Sequence, residues 1–168
     1  MYWRIEKSVG SLARSTAVLG SVALFAVIVL TCVSVIGRAL DFVGLQAIPG
    51  DIELVEFGIG FAVFCALPYA QFARAHARVD MLQRVFGNRI NRVLDLVGDL
   101  FMAVFTGLVA WRLYLGMLEK GAYGETSFIL QIPVVWGYRA AMVACTAGVI
   151  VALFCVLRAT RALIGKEA

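Results

Sequence analysis

The sequence predicts an all-α integral membrane protein with four transmembrane helices and a short amphipathic interfacial helix between helices 2 and 3. Of its 168 residues, 62% are hydrophobic and only 15% are charged. A soluble domain of this length would need more polar surface to cover its core. The apolar residues also form runs of about twenty, the length that crosses the ~30 Å hydrocarbon core of a bilayer. We therefore expect a single membrane domain over residues 1–168.

The first apolar run covers residues 16–37 and follows a basic segment that contains Arg4, Lys7 and Arg14. A signal peptide has the same order of features, but its apolar part is only ~7–15 residues long and ends at a small-residue cleavage pattern. This run is longer, and no such pattern closes it. We expect a retained transmembrane helix with Arg38 at its end.

The second run covers residues 52–72. Asp51 is predicted to cap its start, and Glu53 and Glu56 lie three residues apart on roughly one helical face. These two carboxylates can complement the helix dipole at headgroup level. Alternatively, they contact a basic residue, which could be Arg38 or an arginine of another membrane chain.

The most basic segment of the chain follows and contains its only histidine, His76. The apolar positions over residues 79–86 are three or four apart, which predicts a short amphipathic helix in the headgroup plane. His76 and Asp80 are four apart and can pair on one helical face. A structural or subunit-contact role is favoured for His76, and proton or quinone handling is the alternative. A metal site is disfavoured because no second histidine or nearby cysteine is available.

The third run, residues 93–118, is the least lipid-like. An ionisable group at the centre of a spanning helix costs ~2.5–3.5 kcal/mol on insertion scales, so it normally faces protein or water. Asp95 is predicted to pair with Arg92, and Arg112 to extend outward towards the other membrane surface. Asp99 requires a partner, either within this chain or on a second subunit; a proton relay is a third possibility.

The fourth run covers residues 134–157 and follows a polar loop that contains glycine. Pro133 is predicted in the first turn of this helix, where its missing N–H costs nothing. Trp136 is suited to the aromatic belt at a membrane surface.

The basic residues are distributed unequally between the two predicted sides of the membrane. Four spans place the N-terminus, the central segment and the C-terminal tail on one side, with eleven basic residues against two on the other. Positive charge is enriched on the cytoplasmic side, so both termini are expected there. The eleven are Arg4, Lys7, Arg14, Arg74, Arg78, Arg84, Arg89, Arg92, Arg158, Arg161 and Lys166, and the two are Arg38 and Lys120.

Composition also argues against two other classes of protein. The four cysteines lie inside apolar runs without a CxxC pair, which disfavours a thiol-redox membrane enzyme. The net charge of +4 could indicate nucleic-acid binding, but the basic residues lie beside apolar runs, where anionic headgroups and topology select for them. The bilayer and other membrane chains are the expected partners, with no nucleic acid.

Four features in order resemble one family. Arginine closes the first helix in Gly37-Arg38-Ala39-Leu40, and Glu53 and Glu56 open the second. The stretch Ala75-His76-Ala77-Arg78-Val79-Asp80 follows helix 2, and Gln131-Ile132-Pro133-Val134-Val135-Trp136 leads into helix 4. Together they resemble the small membrane subunit of tripartite ATP-independent periplasmic (TRAP) transporters, the DctQ-like family. Ala77 departs from that pattern, since a larger aliphatic residue is usual there.

The resemblance implies a function in secondary active transport. In this family the small subunit binds a large multi-spanning membrane subunit, which carries the substrate and sodium sites. A periplasmic solute-binding protein captures the solute, typically an organic acid. The resemblance implies that the small subunit is a scaffold, with no catalytic residue, cofactor or metal of its own. The resemblance also implies the bacterial inner membrane as its location.

Two other functions remain open from the residues alone. A stand-alone four-helix transporter or channel would conduct or take up solute by itself, and a membrane enzyme or redox anchor would carry a cofactor. Transporter sites are usually built from broken helices in repeated halves near the midplane. Only Pro68 interrupts a run here, with no counterpart elsewhere, which favours the accessory subunit.

We expect His76→Ala or Asp80→Ala to lower complex assembly or transport without changing substrate preference, because the pair orients the turn after helix 2. Solute uptake by cells that express each variant, with the amount of assembled complex measured in parallel, checks this. Altered specificity with normal assembly would contradict it.

Overall fold

A computed structural model of the chain describes residues 2–74 and 88–164. Nearly all of this part is helical: α1 spans Tyr2–Ala39, α2 Asp51–Phe72, α3 Asn88–Tyr123 and α4 Val135–Ile164. Within these described ranges, four helices are long and apolar enough to cross a membrane. The predicted class of helical membrane protein with four spans is thereby confirmed. The predicted interfacial helix over 79–86 lies outside the described residues, as do His76, Arg78 and Asp80.

Three of the helices extend well beyond the apolar runs from which they were predicted. α1 has 38 residues and α3 has 36, which at 1.5 Å per residue gives lengths of about 57 Å and 54 Å. These exceed the ~30 Å hydrocarbon core. The basic N-terminal residues are the first turns of α1 itself. Hydropathy detects only the part of a helix that lipid surrounds, whereas the backbone continues as helix where its ends reach water.

The helices lie side by side in the order α1, α2, α4, α3. α1 packs mainly on α2, α2 on α4, and α4 on α3, while α1 touches α4 only over a short stretch. α2 and α3 make little direct backbone contact in the described chain. Half of the most apolar part of α4 is buried, against 17% for α1 and α2 and 11% for α3. The molecule is therefore an open row centred on α4, with broad apolar faces left exposed.

Small residues bring the neighbouring helices close together. A Cβ atom at Gly20 of α1 would lie 2.8 Å from Cβ of Cys65 and 3.0 Å from the carbonyl oxygen of Ala62, both on α2. Gly137 of α4 is covered by the ring of Phe57 in the same way. Lipid tails are as apolar as the helices, so association depends on such close packing rather than on exclusion of water.

We expect Gly20→Ala to destabilise the chain by about 1–3 kcal/mol, because the added methyl group pushes α1 away from α2. Unfolding by sodium dodecyl sulfate in mixed micelles, followed by circular dichroism, measures this.

Gly107→Ala in α3 is the matched control, since its Cβ would meet nothing within 4 Å. It should be neutral, or stabilising by up to about 1 kcal/mol through helix propensity. Equal effects of the two substitutions would contradict the close-packing interpretation.

Candidate functional site

Polar contacts tie the helices together at both ends of the row. We call the end that holds the α1–α2 and α3–α4 connections the loop end, and the opposite end, which holds Arg74, the basic end. The longest apolar stretches lie between them, where a polar group would meet lipid. The residues singled out from the sequence fall mainly at these two ends.

At the loop end, Asp51 ties the start of α2 to the last turns of α1. Its Oδ2 accepts a hydrogen bond from the buried hydroxyl of Ser34 and lies 3.5 Å from Nη2 of Arg38. The predicted N-cap was wrong: Gly50, with φ of 75°, precedes the helix and Asp51 is its first residue. Its other oxygen accepts the N–H of Ile52 at 2.8 Å. One carboxylate oxygen therefore faces α1, while the other bonds a backbone N–H in the first turn of α2.

Glu53 ties α2 to the connection between α3 and α4. Its carboxylate accepts the backbone N–H groups of Ile129 at 2.6 Å and Leu130 at 2.9 Å. Arg38, which the sequence suggested as a partner of the glutamates, pairs with Asp51 instead. Glu53 is therefore occupied inside the chain, whereas Glu56, one turn deeper, has an exposed side chain.

The α3–α4 connection folds back on itself before α4 begins. Thr126 and Pro133 form an antiparallel bridge, and the N–H of Val134 donates to the carbonyl oxygen of Glu125 at 3.0 Å. The placement of Pro133 in the first turn of helix 4 was therefore wrong, because α4 begins only at Val135. Trp136 lies in that first turn and is 64% exposed, as a residue of the aromatic belt would be.

A groove of about 640 Å³ opens near the loop end between α2 and α3, with α4 as its floor. Gly60 of α2 also borders it, and a Cβ there would meet nothing within 4 Å. The exposed Glu56 lies at the same groove, so a carboxylate faces a cleft with mostly aromatic walls. The other principal lining residues are Phe57, Phe61, Phe64, Leu113 and Tyr138.

At the basic end, Arg74 joins α2 to α3. Its Nη1 lies 2.7 Å from Oδ2 of Asp95, and its Nη2 lies 2.6 Å from Oδ2 of Asp99. The side chain of Asp99 is 7% exposed and that of Arg74 is 19% exposed. Short charge-assisted hydrogen bonds of this kind are stronger than neutral ones. The predicted pair of Asp95 with Arg92 was wrong: Arg92 donates to the carbonyl oxygen of Ala162 instead, at 3.1 Å.

The backbone at Arg74 is adapted to this contact. Its φ of 51° lies in the left-handed region, which costs a residue with a Cβ about 1–2 kcal/mol. The adjacent end of α2 is held by α4, where Arg158 donates to the carbonyl oxygen of Phe72 at 3.3 Å and lies over its ring. The ion pairs with two carboxylates offset the strain at Arg74 and fix the direction in which the chain leaves α2.

Arg112 is an ionisable side chain inside a predicted span that has no partner among the described residues. It is exposed on α3, six residues inside the predicted end of the span at 118, or about 9 Å along the helix. It forms no hydrogen bond or ion pair within the part of the chain that the structure describes. Its neighbours Leu108 and Trp111 are 59% and 63% exposed, so the surrounding surface is apolar.

From the sequence, Asp99 was expected to need a partner, but Arg74 was not identified as that partner. Asp95 and Asp99 share a face of α3, and Arg74 ends α2 at the same membrane surface. Arg74 and Asp99 are 25 residues apart in the sequence, and only the arrangement of the two helices brings them together. Metal chemistry gains no support from the fold, since no three His, Cys, Asp or Glu side chains come together within residues 2–74 and 88–164.

We expect Arg74→Leu to destabilise the chain by about 3–5 kcal/mol, because Asp99 would be left as a buried charge without its partner. The double variant Arg74→Leu with Asp99→Leu should regain part of the lost stability. Together with the two single variants it forms a double-mutant cycle that measures the coupling free energy of the pair. Unfolding in mixed micelles measures each of them, with Arg4→Leu as a control at an exposed position. Strictly additive losses would contradict direct pairing.

A comparison with models of known protein families gave a match. The model for tripartite ATP-independent periplasmic transporters, DctQ component, matches residues 27–165. The matched region runs from the middle of α1 to the end of α4 and contains the polar contacts of Asp51, Glu53 and Arg74. Searches of curated proteins and of solved structures gave no match. The chain therefore belongs to the family of DctQ components of tripartite ATP-independent periplasmic transporters.

Proposed function

We propose that the chain is the small membrane scaffold subunit of a TRAP-type secondary active transporter for organic acid solutes. It works with a large multi-spanning membrane subunit and a periplasmic solute-binding protein. The family membership supports this function, and the open row of helices carries it. A four-helix protein that functions alone would gain stability by closing its helices into a bundle, whereas this row leaves both broad faces available.

The surface around α3 is the proposed contact with the large subunit. α3 packs mainly on α4, and only 11% of its most apolar stretch is buried. Arg112 adds a cation to this apolar surface, and Glu56 adds a carboxylate at the neighbouring groove. An exposed charge at membrane depth is costly. Opposite charges on a partner helix would remove that cost and would also fix the register between the subunits.

The proposed location is the bacterial inner membrane, with both termini in the cytoplasm. The basic end and the outer turns of α1 and α4 carry most of the described basic residues. Arg38 and Lys120 lie beside the loop-end connections, and Arg112 and Arg139 lie within helices. This asymmetry supports a cytoplasmic basic end and a periplasmic loop end. The loop end would then face the solute-binding protein.

Solute recognition and sodium coupling are proposed to belong to the large subunit, with no catalytic residue or cofactor in this chain. Transport sites usually lie where spanning helices are interrupted near the midplane. Here α2 is one continuous helix through Pro68, and the ion pairs of Arg74 join α2 to α3 near the basic end rather than at the middle of the row. These features favour a rigid supporting part over a moving transport part.

The test is gentle extraction of the tagged chain together with its partners, followed by mass spectrometry. We expect a multi-spanning protein at about equal stoichiometry. Arg112→Leu should reduce its recovery about tenfold, the effect of losing 1.4 kcal/mol of binding free energy. Arg112→Lys should retain most of it because the charge remains.

The stability of each variant chain is measured separately, so that a folding defect is distinguished from lost contact. A monodisperse chain that transports solute alone in liposomes would overturn the proposed function. Equal recovery with Arg112→Leu and with Arg112→Lys would overturn only the assignment of the contact face.

A further inference from the structure

We propose that the tip of the α3–α4 connection, Phe128-Ile129-Leu130, inserts into the boundary between lipid headgroups and acyl chains at the loop end of the row. We call these three residues the hydrophobic tip. The proposal concerns a lipid surface rather than another protein. It does not depend on the proposed function, because it follows from the geometry of this connection alone.

The connection below the tip is a built structure rather than a loose loop. The N–H of Ser127 donates to the carbonyl oxygen of Ile132 at 2.8 Å, and the N–H of Ile132 returns to the Ser127 hydroxyl at 3.1 Å. Gln131 takes a φ of 53° to complete the turn between them. Leu130 packs against Gly50 of the α1–α2 connection. The tip is thus held in one place.

Two side chains of the tip are largely exposed, although Phe128 also borders the groove between α2 and α3. Phe128 is 97% exposed and Ile129 is 58% exposed. Fully exposed phenylalanine in water would be unfavourable, since burial of such a side chain is worth about 1.5–3 kcal/mol. A rigid support makes this exposure a fixed property of the surface.

The backbone of the tip is prepared for a medium that cannot form hydrogen bonds. Irregular backbone at membrane depth must have its polar groups satisfied by protein, because lipid offers no partner. The two consecutive N–H groups of Ile129 and Leu130 are both bonded to the carboxylate of Glu53. These bonds leave the two N–H groups satisfied without water, as a position at the edge of the acyl chains requires.

Charge and position also favour lipid. Lys120 and Glu125 pair with each other at 2.6 Å, and residues 126–134 contain no ionisable side chain. Tyr123 at the end of α3 and Trp136 at the start of α4 are 73% and 64% exposed on either side of the connection. Aromatic residues of this type mark the membrane–water boundary. The tip lies between these two residues in the sequence, which favours a position close to the membrane surface.

The test labels the tip with a fluorophore in the tagged chain, extracted with any bound partners and placed in lipid nanodiscs. Phe128→Cys is introduced together with Cys32→Ser, because Cys32 is exposed while Cys65, Cys145 and Cys155 are buried and protected from labelling. The label is an environment-sensitive nitrobenzoxadiazole. Quenching is compared between nitroxide-bearing lipids and aqueous iodide. Gln46→Cys, exposed on the α1–α2 connection at the same end, is the control for a water-facing position.

We expect lipid nitroxides near the headgroups to quench the label at position 128 several-fold more than at position 46, with the reverse order for iodide. Strong iodide quenching at both positions would show a water-facing tip and overturn the proposal. Protection from both quenchers at position 128 would show that protein covers the tip, which also overturns it.

A second pair of variants tests the role of Glu53. Glu53→Ala removes both acceptors from the tip and should lower lipid quenching at position 128. Asp41→Ala removes an exposed carboxylate at the same end of the row and should leave it unchanged. Equal lipid quenching in the two variants would overturn the statement that the Glu53 bonds hold the tip in the bilayer.

Discussion

The ion pairs between Arg74 and the two carboxylates of α3 determine the arrangement at the basic end of the molecule. α2 and α3 pack on α4 rather than on each other, so apolar packing alone leaves the angle between them free. One guanidinium that contacts Asp95 and Asp99 at 2.7 Å and 2.6 Å removes that freedom. The planar fork of arginine can do this, whereas a lysine would offer a single point charge. The contact also lowers the cost of placing Asp99 where it is nearly buried.

α2 is the helix to which the other polar ties lead. Its first residue, Asp51, binds α1, and Glu53 binds the α3–α4 connection. Arg74, just beyond its last turn, binds α3. On α2 each tie lies within about a turn of a helix end, although Arg74 reaches about three turns into α3 to contact Asp99. The middle of the row depends on close apolar packing through small residues such as Gly20. The polar contacts that fix which helices meet thus lie towards the ends of the row, and the apolar packing lies in its middle.

The fold class and the approximate spans could be predicted from the sequence because an apolar run that crosses lipid must bond its own backbone polar groups, which a helix does. The ends of the elements could not. Pro133 was assigned to helix 4 on the general preference of proline for a first turn, but the bridge to Thr126 keeps it outside. Asp51 was assigned as a cap on local preference, but Ser34 and Arg38 attract its carboxylate. Contacts between distant segments decided both cases, and a local pattern does not contain them.

The candidate site was predictable in part for the same reason. Composition alone showed that Asp99 needed a partner and that Arg112 was costly in a span. It did not show that Arg74 would supply the first, because the depth of Arg74 relative to Asp99 depends on the length and tilt of two helices. The roles of His76, Arg78 and Asp80 remain predictions, since these residues lie outside the described part of the chain.

The row of four helices has a mechanical consequence. With about 8–10 Å between neighbouring axes, the outermost axes lie at most about 24–30 Å apart, so the chain is longer in one direction of the membrane plane than in the other. Tilting the row about its short axis displaces lipid at both ends in opposite directions, which the elasticity of the bilayer resists. A compact bundle with the same number of helices has a shorter lever arm and rocks more easily. The elongated shape of the row therefore makes tilting relative to the membrane plane more costly, for this chain and for a protein bound to it.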